Sequence, residues 1–320
     1  MGSLGPAPAA DDGGEHDVWE VWWCFDGWHG AADELEALLP PWARLHRMDP
    51  RRPLAEQVGG ARVLIPTTGE VDAAAIAAPA DLRLVAQPAA GFANIDVAAA
   101  AARGVPVTTA PGHNDAATAE VALMLMLMLM RRADEARVAF QQRIIGSPIG
   151  SELHGKTLGI VGLGRVGRRL QAAAEGLGMR VLATRSGSGR AELEALLRAA
   201  DVVSLHTQLT AQTQGLIGAA ELALMKPRAV LVNTARGPVI DRAALLDALD
   251  DGHLGGVGLD VHWVEPADPD DRLYRHPKVL ALPHTGAATH EFYRSVAKVL
   301  VHNITAVRDG RLGDLQHRLV

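Results

Sequence analysis

From residue 18 onward, short apolar runs alternate with stretches of helical composition. Residues 18–25 read as a strand, and residues 31–39 as a helix that Pro40 and Pro41 stop. Further strands are predicted at 61–65, 82–86 and 105–108, with a helix near 95–102. Beyond residue 150 the same rhythm returns, with strands at 157–161, 181–184, 202–205, 229–233, 257–260 and 279–282. Short apolar strands alternating with helices predict parallel sheets covered by helices on both faces. On such sheets ligands bind at the loops after the carboxyl ends of the strands. In the first half those loops are 66–69, 87–92 and 109–114.

Two long segments join these halves. Residues 115–132 contain the run 121–130, in which Leu and Met alternate. Alternation suits a strand, but Leu, Met and Ala are strong helix formers, so a helix is predicted. The run is too short to cross a bilayer. Apolar on all sides, it is expected to be buried, between domains or against a second subunit, which makes a homodimer the expected assembly. Residues 146–150 form a loop, and residues 291–308 a last helix that packs back on the first domain. The expected layout is a disordered tail at 1–17, a substrate domain at 18–111 and 289–320, and a nucleotide domain at 112–288.

The most informative stretch is the strand at 157–161 with its sequel, Gly162-Leu163-Gly164-Arg165-Val166-Gly167. In such a turn the first glycine permits the tight reversal. The second lets a pyrophosphate approach the backbone, and the third lets helix and strand pack closely. The free amides and positive end of the following helix favour phosphate. A bare glycine pattern is weak in a chain with 33 glycines. A strand before it and a helix after it point to dinucleotide binding. Six strands in the second half suffice for a full Rossmann-like sheet. The fold class is therefore α/β, with two doubly wound parallel-sheet domains, the nucleotide domain inserted into a flavodoxin-like one.

Composition narrows the class. Hydrophobic residues make up 48% of the 320 residues and charged residues 21%, as in globular proteins. The net charge of -6 and the lack of a basic stripe argue against nucleic acid as a partner. The single cysteine, Cys24, excludes an internal disulfide and reads as a small buried apolar residue. Residues 1–17 lack the basic start and apolar core of a signal peptide. A cytoplasmic protein without membrane or metal partners is expected.

Three strand-end loops of the second half carry ionisable groups beside turn residues: Asn233-Thr234-Ala235-Arg236-Gly237, Asp260-Val261-His262-Trp263-Val264-Glu265-Pro266 and Leu282-Pro283-His284-Thr285-Gly286. Together with the glycine turn and Asn114 to Glu120, in this order, they resemble the D-2-hydroxyacid dehydrogenase family over roughly residues 60 to 300. That resemblance implies reduction of a small 2-oxoacid, such as glyoxylate or hydroxypyruvate, to the D-2-hydroxyacid, and the reverse. The residue types suit the chemistry. Arg236 offers a planar fork of donors for a carboxylate and a carbonyl. His284 can donate the proton, an imidazole having an ordinary pKa of about 6.5. Glu265, if close, would orient the ring and favour its charged form. The resemblance assigns these three the catalytic roles.

It also implies that Ala90 and Gly91 help hold the substrate with Arg236 and His284. His206, Thr234, Ala235, Asp260 and Gly286 are expected near the cofactor, with Gly162, Gly164, Arg165, Val166 and Gly167. Asp260 reads either as a carboxamide partner or as a turn-capping carboxylate. The chain departs from the family pattern at Pro88, which has no amide hydrogen, at Gln208, where a proline is usual, and at His262 and Trp263.

The cofactor type is read from the end of the second strand, where NAD sites place an acid. Here Thr184, Arg185 and Ser186 are followed by no acid until Glu192. Arg185 and Ser186, with Arg190 as a second cation, suit a 2′-phosphate. NADP(H) is expected, with NAD(H) as the alternative. Competing functions are a dehydrogenase of phosphite or formate on the same scaffold, and a cofactor-sensing protein like the corepressors of this fold.

Overall fold

The structure is a computed structural model that describes residues 18–320, so the expected tail at 1–17 lies outside the described residues. The chain divides into two compact units, one of residues up to 111 with 293–320, the other of residues 112–292. No helix among the described residues is long and apolar enough to cross a membrane.

The first unit runs β1 (Trp19–Trp23), α1 (His29–Leu38), β2 (Ala43–Arg47), α2 (Leu54–Gln57), β3 (Ala61–Ile65), α3 (Ala73–Ala77), β4 (Leu84–Ala86), α4 (Val97–Ala102) and β5 (Val107–Thr108). Its strands are all parallel, in the order β2-β1-β3-β4-β5. That is the flavodoxin-like order. In β3, Val63 and Ile65 join Trp19, Trp23 and Leu35 on one face, while Leu64 joins Val85 and Ile76 on the other. Burial on both faces explains the unbroken apolar runs. The tryptophans at 19, 23, 28 and 42 pack in the first of these cores, as does Arg308 stacked on Trp42. Cys24 is buried, which pushes its thiol up to about 12 and leaves it an inert apolar filler.

β2 is absent from the strands expected from the sequence. Its pattern Ala-Arg-Leu-His-Arg is polar at alternate positions because it is an edge strand, with no second neighbour to cover it.

The second unit begins with α5 (Asp115–Arg131) and α6 (Ala133–Gln141). There follow β6 (Thr157–Val161), α7 (Arg165–Gly176), β7 (Arg180–Thr184), α8 (Arg190–Ala199), β8 (Val202–Leu205), α9 (Ala219–Leu224), β9 (Val230–Asn233), α10 (Arg242–Asp250), β10 (Gly256–Leu259) and β11 (Val279–Ala281). The strands are parallel and ordered β11-β10-β9-β8-β6-β7. The order reverses direction between β6 and β8, where such sheets bind their ligands. The glycine turn follows β6, at that reversal. A last helix, α11 (His290–Arg308), contributes Ala297, Leu300 and Ile304 to the core around β1 and β3.

Within the single chain α5 is buried on one face. Ala122, Leu125 and Met126 are buried, with Leu125 and Leu129 lying against the bare backbone of Gly256 and Gly258 in β10. Met124 and Leu127 are exposed, at 39% and 38%, on a side that the sheet does not cover. In residues 138–149, Val138, Phe140, Ile144, Ile145 and Ile149 are also exposed.

Candidate active site

The turn after β6 has the features a dinucleotide needs. Gly162 adopts a φ of +100°, open only to glycine, and a Cβ there would lie 2.8 Å from the His206 backbone. Its amide and that of Leu163 donate to the Thr184 carbonyl, at 3.2 and 2.8 Å, which ties the turn to the end of β7. A Cβ on Gly167 would lie 2.7 Å from the Gly162 carbonyl, so only glycine lets α7 pack this closely. Around Gly164 nothing comes within 4 Å of the Cβ position, leaving an open backbone face. The first-turn amides of Arg165, Val166 and Gly167 have no helical carbonyl ahead of them, and no side chain caps the helix. These residues fit a pyrophosphate. Arg165 projects outward, its Nε 4.0 Å from Asp115.

At the end of β7, Thr184 is buried whereas Arg185 and Ser186 are exposed. Ser188 accepts from the Arg185 amide at 3.1 Å and closes this turn. Arg190 is engaged elsewhere: its guanidinium meets Glu221 at 2.6 Å and Glu194 at 3.0 Å. Arg190, expected as a second phosphate cation, is thus paired with two carboxylates while its side chain stays 67% exposed.

After β8, His206 is held between two hydroxyls. Ser204 Oγ lies 2.9 Å from its Nε2 and Thr234 Oγ1 3.2 Å from its Nδ1. Burial pushes this imidazole down to about 4, so it stays neutral. After β9, the Asn233 side chain accepts from the Ala235 amide at 3.0 Å and donates to the Arg236 carbonyl at 2.9 Å. This clamp shapes the Thr234–Ala235–Arg236 turn. No role for Asn233 is expected from the sequence, although an amide side chain at a strand-end turn is a signal for such a clamp. Burial lowers the Arg236 guanidinium, and the nearby charge of Glu265 opposes that shift. Gly237 lacks a Cβ because the backbone of His262 and Trp263 occupies that space.

The loops after β10 and β11 meet. His284 Nδ1 lies 2.7 Å from Glu265 Oε2, and the His262 amide donates to Glu265 Oε1 at 3.0 Å. Burial works to raise the Glu265 carboxyl, but the hydrogen bond and charge of His284 outweigh it and hold it below the usual carboxylate range. With Nδ1–H donated to the carboxylate, a proton passed to a reacting oxygen would come from Nε2. His284 has a φ of +54°, a strained conformation for a non-glycine residue of the kind found at functional sites.

Asp260 is buried and serves the same loop. Its Oδ1 accepts from the Thr285 amide at 2.7 Å and from the Thr285 hydroxyl at 3.1 Å, and its Oδ2 from the Gly286 amide at 2.8 Å. Burial raises this carboxyl against those bonds and the charge of His284. These contacts make it a loop-capping carboxylate, one of its two expected roles. Thr118 Oγ1 donates to the Gly286 carbonyl at 3.0 Å and holds the loop from α5.

The structure thus brings together Arg236, Glu265, His284, Asp260 and Gly286 on neighbouring strand ends. Ala90 and Gly91 belong to the other unit, on the loop after β4. That loop is stapled by buried Gln87, whose Nε2 donates to the carbonyls of Thr67 at 2.9 Å and Gly91 at 2.7 Å. A polar side chain at the end of an apolar strand was the signal for this staple.

Residues 123–286 match the family model of the NAD binding domain of D-isomer specific 2-hydroxyacid dehydrogenases. The chain belongs to this family. It is an NAD(P)-dependent oxidoreductase that interconverts a 2-oxoacid and a 2-hydroxyacid. Among its relatives is a glyoxylate reductase of Korarchaeum cryptofilum, 39% identical over 77% of this chain and 79% of that one. A solved structure from Thermus thermophilus is similar with a TM-score of 0.83 and 36% identity, over 94% of this dehydrogenase and all of that chain. The NADPH-dependent glyoxylate/hydroxypyruvate reductase of Sinorhizobium meliloti, solved with NADP and malonate, is similar with a TM-score of 0.81. Its identity is 26%, over 94% of this chain and 97% of that one.

Proposed function

We propose that this dehydrogenase is an NADPH-dependent reductase of a small 2-oxoacid of the glyoxylate or hydroxypyruvate type, giving the D-2-hydroxyacid. The observation that carries the reading is the 2.7 Å pair of His284 and Glu265 behind a turn suited to a dinucleotide.

The bound nicotinamide supplies hydride to the carbonyl carbon. Arg236 binds the substrate carboxylate with its planar fork and polarises the carbonyl. Ala90 and Gly91 hold the carboxylate through backbone amides. His284 donates the Nε2 proton to the carbonyl oxygen as negative charge develops there, and becomes neutral. Glu265 remains ionised and keeps the ring oriented through Nδ1. In the reverse direction neutral His284 takes the hydroxyl proton. Gly162, Gly164, Arg165, Val166 and Gly167 grip the pyrophosphate. His206, Thr234 and Ala235 line the cofactor, and Asp260 and Gly286 shape the loop beside it.

NADPH is favoured because exposed Arg185 and Ser186 stand where an NAD site has a carboxylate, and no acid precedes Glu192. The unit of residues up to 111 with 293–320 is the substrate domain of this proposal and that of 112–292 the nucleotide domain, the return falling four residues later than the expected 289. Exposed Met124, Leu127, Phe140, Ile145 and Ile149 supply an apolar surface for a second copy, in a homodimer. A cytoplasmic setting accords with the single buried cysteine.

The test is a panel of glyoxylate, hydroxypyruvate and phenylpyruvate, each with NADPH and with NADH. Turnover of the two small oxoacids, most efficient with NADPH, is expected. Tight NADPH binding without turnover of any 2-oxoacid would refute the proposal and favour a cofactor-sensing role.

A further inference from the structure

The ring of His262 takes no part in the reaction just outlined, yet residue 262 touches the supports of all three catalytic side chains. It is buried, and its amide donates to Glu265 Oε1 at 3.0 Å. Its Nε2 lies 2.8 Å from the Leu282 carbonyl. That carbonyl also accepts the His284 amide at 3.0 Å, closing the turn that holds His284 at positive φ. Its backbone fills the space beside Gly237, next to Arg236. Its Nδ1 lies 3.0 Å from Tyr274 Oη, with the two rings edge to face.

A carbonyl only accepts, so Nε2 of His262 is the protonated nitrogen. In the neutral ring Nδ1 then accepts from the Tyr274 hydroxyl. The order Tyr274 to His262 to the Leu282 carbonyl is thereby set in one direction. We propose that His262 is a positioning residue, whose Nε2–H pins the Leu282 carbonyl and so holds His284 at the angle from which Nε2 reaches the substrate oxygen. Tyr274 selects the tautomer that makes this donor. The proposal rests on the roles given above to His284 and Glu265.

Glutamine places an amide nitrogen near the position of histidine Nε2, whereas asparagine reaches only as far as Nδ1. The experiment compares His262→Gln, His262→Asn, His262→Phe and His284→Ala, reading kcat for glyoxylate with NADPH, NADPH affinity by fluorescence, and Tm. His262→Asn and His262→Phe should lower kcat about tenfold, the scale of one lost neutral hydrogen bond, with NADPH affinity unchanged. His262→Gln should recover most of the rate, even if its Tm matches that of the asparagine variant. Equal losses in all three position-262 variants, or losses that follow Tm alone, would overturn the proposal, as would wild-type rates throughout. A wild-type rate in His284→Ala would instead overturn the catalytic reading beneath it, so the two failures are distinguishable.

Discussion

Glu265→Gln tests the centre of the mechanism, because it preserves size and removes charge. The carboxylate accepts two hydrogen bonds, from His284 Nδ1 and from the His262 amide. Glutamine has one oxygen and one amine in their place. If its oxygen faces His284, its amine opposes the His262 amide hydrogen. If its oxygen faces the His262 amide, its amine opposes Nδ1–H and forces that proton off the ring nitrogen. Either arrangement loses a charge-assisted bond, worth about 1.5–3 kcal/mol. The side chains are only 18% and 23% exposed, so solvent screening removes little of this. At about 1.4 kcal/mol per tenfold change, kcat/KM for glyoxylate reduction at neutral pH should fall roughly 10- to 100-fold.

The sign of the pH dependence follows from the same pair. His284 and the His262 amide hold Glu265 in its charged form, so this carboxyl stays ionised below the usual carboxylate range. Reduction by the wild type should therefore persist as the pH is lowered and fall only when Glu265 takes up a proton. The Gln variant has no carboxylate to titrate and should lack that acid limb. The assay is NADPH consumption across pH at constant ionic strength, with the reverse reaction followed in parallel. A variant whose profile overlays that of the wild type, at a rate within about twofold, would refute the argument.

Further outcomes are expected. His284→Ala should lower kcat by about 10² to 10⁴ with NADPH affinity retained, measured by steady-state rates and fluorescence titration. Arg236→Lys should cost about tenfold or more in kcat/KM, because an ammonium does not reproduce the bidentate fork, and an unchanged value would remove Arg236 from its role. Arg185→Ala should reduce the preference for NADPH over NADH, and Ser186→Asp should turn it toward NADH; a ratio unmoved by either would count against a 2′-phosphate site there. Ile145→Glu with Phe140→Glu should convert a dimer to monomers in sedimentation, whereas an unchanged mass would place the interface elsewhere.

The apolar rhythm of the chain was enough to establish an α/β fold, since strands such as β3, β6 and β8 are buried on both faces and carry an unbroken apolar signature. The glycine turn was equally legible, because the positive φ of Gly162 and the approach of Gly167 to the Gly162 carbonyl both lie within one strand-turn-helix unit. Signals failed where the environment, and not the local chain, sets the outcome. The edge strand β2 has too few apolar positions to show, and the sequence of α5 does not tell which of its apolar faces the sheet covers. Asp260, Arg190 and Gln87 owe their partners to segments 25, 31 and 20 residues away, so their occupation by Thr285, Glu221 and Thr67 emerges only when the chain folds. The same holds for the reacting pair. Glu265 and His284 are 19 residues apart, and what joins them at 2.7 Å is the parallel pairing of β10 with β11, which brings both strand ends to one edge of the sheet.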